Sequence, residues 1–148
     1  GGAVVIPYFE GERTPNLPDA KGAVLGLTLE NNTRENMARA AIEGMLCGLA
    51  DGFAVLKSHG VKAKRVLLIG GAAANPAVQL AASQVFGVDV EIPKLGEYVA
   101  DGAARQASHS LTGSAPAWPV EMQARVPADH RPEILHQYHA AQSSLYKI

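Results

Sequence analysis

At 148 residues, with 13 Lys+Arg against 14 Asp+Glu and a formal net charge of −1, the chain has one domain's length and no excess of either charge. That balance argues against nucleic acid or an anionic membrane as the main partner. The single cysteine, Cys47, lies in an apolar helical pattern without a partner, so no disulfide framework forms and a reducing, cytoplasmic setting is expected. No hydrophobic run reaches membrane-spanning length and no charged-then-apolar leader is present. The start at Gly1-Gly2-Ala3, without an initiator Met, points to processing, a cloning scar or a piece of a longer chain.

Ala3 to Ile6 reads as a short strand that runs into Pro7-Tyr8-Phe9-Glu10-Gly11-Glu12-Arg13-Thr14-Pro15-Asn16-Leu17-Pro18, where the prolines and glycine forbid regular structure. This loop is expected to owe its order to the rest of a larger protein, since Glu12 and Arg13 have no evident partner within the motif. Ala23 to Leu29 reads as a second strand, interrupted by Gly26. A long helix is predicted from about Thr33 to His59, with Ala38, Ile42, Leu46, Leu49, Phe53 and Leu56 on its apolar stripe. Asn32 is the expected cap, with Glu35 placed three residues on to reach back. Gly44, Gly48 and Gly52 stack four residues apart on this helix. Each costs about 1 kcal/mol against alanine, which implies a face that another helix or the sheet approaches closely.

The most informative stretch follows, Arg65 to Glu91. A β-branched run, Val66 to Ile69, ends in Gly70-Gly71 and three alanines; Asn75-Pro76 opens an amphipathic helix, and Val88-Asp89-Val90 starts another strand. Asn75 suits the cap and Pro76 the first helical position, where a missing N–H costs nothing. Strand, glycine turn, helix, strand is an arrangement that brings a ligand against bare backbone at a helix N-terminus. It is equally the arrangement of a tight packing turn, and both readings stand. Beyond it, Pro93 to Gly96 is a loop and Glu97 to Leu111 a helix, with Glu97 and Asp101 where the helix dipole favours acids. Thr112 to Pro127 reads as a surface excursion holding Trp118. Asp129 to Tyr146 is a terminal helix with Ile134, Tyr138, Ala141 and Leu145 along one side. The alternation predicts an α/β sandwich.

Several constellations are absent: CxxC, HExxH, a GxSxG elbow and a Walker loop. His136 and His139 sit three apart on the terminal helix, with no third metal ligand in sight. The dinucleotide-binding fingerprint is the nearest rival, with Glu91 twenty residues after Gly71, but Ala72 and Asn75 stand where it requires glycine.

The segments IPYFEGERTPNLPDAKGAVLGLT, ARAAIEGMLCGLADGFAVLK, VLLIGGAAANPAVQLAASQVFGVDV and EYVADGAARQAS resemble, in order and spacing, the C-terminal half of FGGY-family carbohydrate kinases, up to about Leu111. The resemblance implies a ribonuclease-H-like, actin-like ATPase fold. It implies that residues 1–148 are a single nucleotide-side domain, whose partner is its own N-terminal domain. It further implies transfer of the ATP γ-phosphoryl group, with Mg²⁺, to a pentulose hydroxyl, D-xylulose going to D-xylulose 5-phosphate in the branch it matches best. Ribulose, glycerol or gluconate are the alternative acceptors, and a homodimer is compatible with the family. In the family the glycine turn is the adenosine motif: Gly71 and Ala72 would put backbone beside the α-phosphate and ribose, Asn75 would reach the adenine, and Gly70 would shape the turn. The general-base aspartate lies upstream in the family, and no aspartate here matches its position, so no catalytic residue is expected in this chain. Asp101 stands where the family often has a leucine-like residue, and it is expected to face solvent. A nicotinamide-dependent oxidoreductase and a non-catalytic actin-like nucleotide module are the competing readings.

Overall fold

A computed structural model describes residues 1–146. In chain order the elements are β1 (Val4–Ile6), β2 (Ala23–Leu25), α1 (Arg34–Ser58), β3 (Arg65–Leu67), a 3₁₀ turn (Gly71–Ala74), α2 (Pro76–Phe86), β4 (Asp89–Pro93), α3 (Tyr98–Thr112), β5 (Met122–Val126) and α4 (Pro132–Tyr146). β1 and β2 pair antiparallel, with Val5 opposite Val24. The second sheet runs β3-β4-β5. β3 and β4 are parallel, Val66 opposite Val90, and α2 is their crossover. β5 closes on β4 antiparallel. One cluster unites Ile6 and Tyr8 with Leu46, Cys47, Val85, Val90, Ile92 and Tyr138, so α1, α2 and α4 share a core with β1 and β4.

The long helix forms where its periodicity predicts, but its buried face is turned. Ala40, Gly44, Leu46, Cys47 and Ala50 are buried, whereas Leu49 and Leu56 of the expected stripe are more than half exposed. Close approach explains the turn. A Cβ on Gly44 would lie 2.2 Å from the Val5 carbonyl oxygen, so β1 crosses α1 at a distance only small side chains allow. The stacked glycines therefore divide: Gly44 meets β1, Gly48 lies below the Tyr138 hydroxyl, and Gly52 meets nothing within 4 Å. The cap is Thr33 rather than Asn32. Thr33 is extended, and its Oγ1 accepts from Asn36 N at 3.2 Å; Asn32 N is instead bonded to the Thr28 carbonyl within the preceding turn.

Three further expectations change. β2 stops at Leu25, before Gly26. The excursion after α3 contains a strand: β5 supplies the hydrogen bonds that β4's second edge needs, although its residues are mostly exposed. The loop after β1 has bonds of its own within the chain: Glu12 and Leu17 exchange backbone hydrogen bonds of 2.9 Å, across a cis Thr14-Pro15 bond. Glu12 also has partners of its own, since its Oε1 accepts from Arg13 N at 2.6 Å and Thr14 N at 3.0 Å. α3 differs from the other helices in having no buried residue.

Candidate functional site

β3 delivers the chain into Gly70, whose φ of 94° lies in the region that only glycine adopts without strain. Gly71–Ala74 then make one 3₁₀ turn, closed by Ala73 N to the Gly70 carbonyl at 3.0 Å and Asn75 N to the Ala72 carbonyl at 3.1 Å. Ala73 points into the protein, and Gln79 Nε2 donates to its carbonyl at 2.7 Å, tying the turn to α2. The outer side is bare. Gly70, Gly71, Ala72 and Asn75 are all exposed, and a Cβ on either glycine would meet nothing within 4 Å. The four residues singled out from the sequence are therefore contiguous on one open surface.

Asn75 divides its side chain. Its Oδ1 accepts from Ala77 N at 2.9 Å and caps α2, with Pro76 at the first helical position. Its Nδ2 donates to nothing among the described residues and remains available to an acceptor on a ligand. α2 itself is firmly held, with Val78, Ala81, Ala82, Ser83, Gln84, Val85 and Phe86 buried. Gln84 ties α2 to α1 and to the segment before α4: Arg39 Nη2 donates to its Oε1 at 2.5 Å, and its Nε2 donates to Asp129 Oδ2 at 2.9 Å. The bond from Gln84, then that from Arg131, holds the Asp129 carboxyl below its ordinary pKa. A packed helix behind an exposed turn presents polar backbone at fixed positions, which is what electrostatic stabilisation of an anionic group requires.

The remaining reactive side chains are engaged or solvated. The Asp51 carboxylate, through Oδ1, accepts from His139 Nε2 at 2.7 Å. Asp89 is bonded to Arg125, and Asp19 and Asp101 lie on the exposed surface. Glu91, the residue that a dinucleotide site would place on a ribose, pairs with Arg65 at 2.5 Å on the neighbouring strand. Cys47 is fully buried, and burial, reinforced by the charges of Glu43 and Asp51, pushes its pKa up to about 12. No helix among the described residues is long and apolar enough to cross a membrane.

A parallel β3-α2-β4 unit with a bare glycine turn lies in a layered α/β core, an arrangement consistent with a domain of the actin-like ATPase class. The profile of the FGGY family of carbohydrate kinases, C-terminal domain, matches residues 1–111. A xylulose kinase of Streptomyces rubiginosus is 38% identical over 117 residues, covering 78% of this chain and 24% of that protein. The crystal structure of xylulose kinase from Bifidobacterium adolescentis superposes with a TM-score of 0.77 at 42% identity, covering 95% of this chain and 28% of that one. Plasmodium falciparum glycerol kinase with ADP shares the fold, with a TM-score of 0.77 at 20% identity over 98% of this chain and 31% of its own. The chain belongs to the FGGY family of carbohydrate kinases, within its C-terminal domain. It spans about a quarter of the length of the curated relatives it matches.

Proposed function

We propose that this chain supplies the adenosine-binding wall of an ATP-dependent sugar kinase, and that the acceptor is D-xylulose, phosphorylated to D-xylulose 5-phosphate. The carrying observation is the open turn Gly70–Asn75, in the family's motif, with a capping oxygen in use and an unused amide donor beside it. Backbone at Gly71 and Ala72 lies against the α-phosphate and ribose, and Asn75 Nδ2 donates to an adenine nitrogen. Phosphoryl transfer draws mainly on positioning and on charge stabilisation, and a prebuilt turn on a packed helix supplies the first for the nucleotide.

Mg²⁺ bound with ATP neutralises charge on the phosphate oxygens. This chain's part is to hold the nucleotide. The acceptor pocket and the base that takes the acceptor's proton belong to the rest of the protein, its N-terminal domain, and a kinase using ATP in this way works in the cytoplasm. The relatives' names include both xylulose and glycerol kinases, so the acceptor is the point to test. ADP formation by the intact protein is measured with D-xylulose, D-ribulose, glycerol and gluconate. Turnover is expected highest with D-xylulose, and absent from residues 1–148 alone. A preference for another acceptor would correct the substrate. Tight ATP binding with no transfer to any of them would replace the kinase reading by that of a nucleotide-binding module.

A further inference from the structure

The profile match ends at residue 111, and α4 lies wholly beyond it. Nevertheless α4 holds the loop of the PYFEGERTP motif at both ends. At the entry, Tyr8 is 1% exposed, and Gln142 Nε2 donates to its hydroxyl at 2.6 Å. The Tyr138 hydroxyl, also buried, donates to the same oxygen at 3.3 Å. At the exit, the Tyr146 hydroxyl donates to the Lys21 carbonyl, and its ring lies 5.5 Å from that of Tyr8. Between these two points the loop carries the Glu12–Leu17 exchange, the Glu12 carboxylate cap and two local backbone bonds, Phe9 N to the Pro7 carbonyl at 2.9 Å and Ala20 N to the Leu17 carbonyl at 3.2 Å, and most of its residues from Phe9 to Asp19 are exposed. A segment with few buried contacts opens locally unless its ends are held. A buried polar network with every member paired is the kind of contact that admits one geometry.

We infer that α4 is a brace for the Pro7–Pro18 loop, with Gln142 and Tyr146 as positioning residues at its two ends. All three contacting side chains come from one face of the helix, at residues 138, 142 and 146, and clamp segments more than 120 residues upstream. The loop's conformation is therefore set from the far end of this chain. This differs from the sequence-based expectation that the rest of the protein orders it.

The test is hydrogen exchange on the intact protein carrying Gln142→Met and Tyr146→Phe together. Met fills a volume similar to that of Gln, Tyr138 remains bonded to Tyr8, and the Lys21 carbonyl is free to take water, so the core stays packed. The amides of Glu12 and Leu17 are expected to exchange about thirtyfold faster, the change in opening equilibrium that loss of the two hydrogen bonds, at about 1 kcal/mol each, brings. The buried amides of α1 around Leu46 are expected to exchange at their original rate. Unchanged exchange at Glu12 and Leu17 would overturn the brace. A uniform acceleration of loop and α1 would overturn it as well, because it would make these contacts ordinary contributors to global stability. Should the pair unfold the protein, Tyr146→Phe alone, which keeps the ring against Tyr8 and removes only the hydrogen bond at the exit, is expected to accelerate Leu17 more than Leu46, and equal rates would refute the inference.

Discussion

Asn75 carries two roles in one side chain, and substitution can separate them. Removing both with Asn75→Ala deletes the Oδ1 cap of α2, seen as the 2.9 Å bond from Ala77 N, and the free Nδ2 donor. Loss of the cap costs about 1 kcal/mol, or roughly 3–5 °C in melting temperature for a chain of this size. Loss of one donor to a nucleotide acceptor costs about 1 kcal/mol of binding, or roughly a fivefold to tenfold rise in the ATP KM. Asn75→Asp and Asn75→Ser keep an oxygen at the cap position, and these residue types cap as well as Asn; neither offers the amide donor. Both are therefore expected to melt within about 2 °C of the parent and to raise the ATP KM severalfold, with the acceptor KM unchanged. The assay pairs thermal melts of residues 1–148 with ADP release at saturating acceptor in the intact protein. If Asp and Ser restore stability and leave the ATP KM at the parental value, Asn75 is a cap and nothing more, and the turn is a packing device.

Gly71→Val adds a branched side chain on the open side of the turn, where no protein atom lies within 4 Å. It is expected to weaken ATP binding by more than tenfold while the melting temperature stays nearly constant; parental ATP affinity by calorimetry would exclude nucleotide from this face. Gly44→Ala is expected to destabilise by about 1–3 kcal/mol through overpacking, since its Cβ would meet the Val5 carbonyl at 2.2 Å; Gly52→Ala, in open space, should instead stabilise by about 1 kcal/mol, and urea titrations compare the two. The bond from Arg125, followed by that from Ala128 N, holds the Asp89 carboxyl below its ordinary pKa. A depressed carboxyl contributes stability above its unfolded value of about 3.9, and that stability is lost as pH falls through the lower folded value. Asp89→Asn should accordingly flatten the acid side of the stability profile below about pH 4, and an unchanged slope in acid-unfolding curves would show that the pair contributes nothing.

The unit from β3 to β4 was legible in the residues alone because each of its parts is locally determined. The apolar run that begins at Val66 marks the strand, which spans Arg65–Leu67, Gly70 relieves a backbone that other residues would strain, and Asn75-Pro76 starts α2 with a cap and a ring-fixed φ. Those interactions span a few residues, so the candidate turn could be read without a fold. Its openness could not. Only packing shows that Ala73 points inward and that Gly71, Ala72 and Asn75 face out together.

The buried face of α1 was decided by tertiary structure. Periodicity favours the large apolar residues, but β1 comes so close at Gly44 that small residues occupy the contact, leaving Leu49 and Leu56 outside. β5, Met122-Gln123-Ala124-Arg125-Val126, alternates apolar and polar residues over only five positions beside a proline-rich stretch, a weak strand signal by itself. It is a strand because β4 has a second row of backbone groups that need partners. The loop after β1 is held by Tyr8 and Gln142, which lie 134 residues apart. Local chemistry determined where the helices and the turn begin; long-range pairing and the space left for a Cβ determined which faces meet.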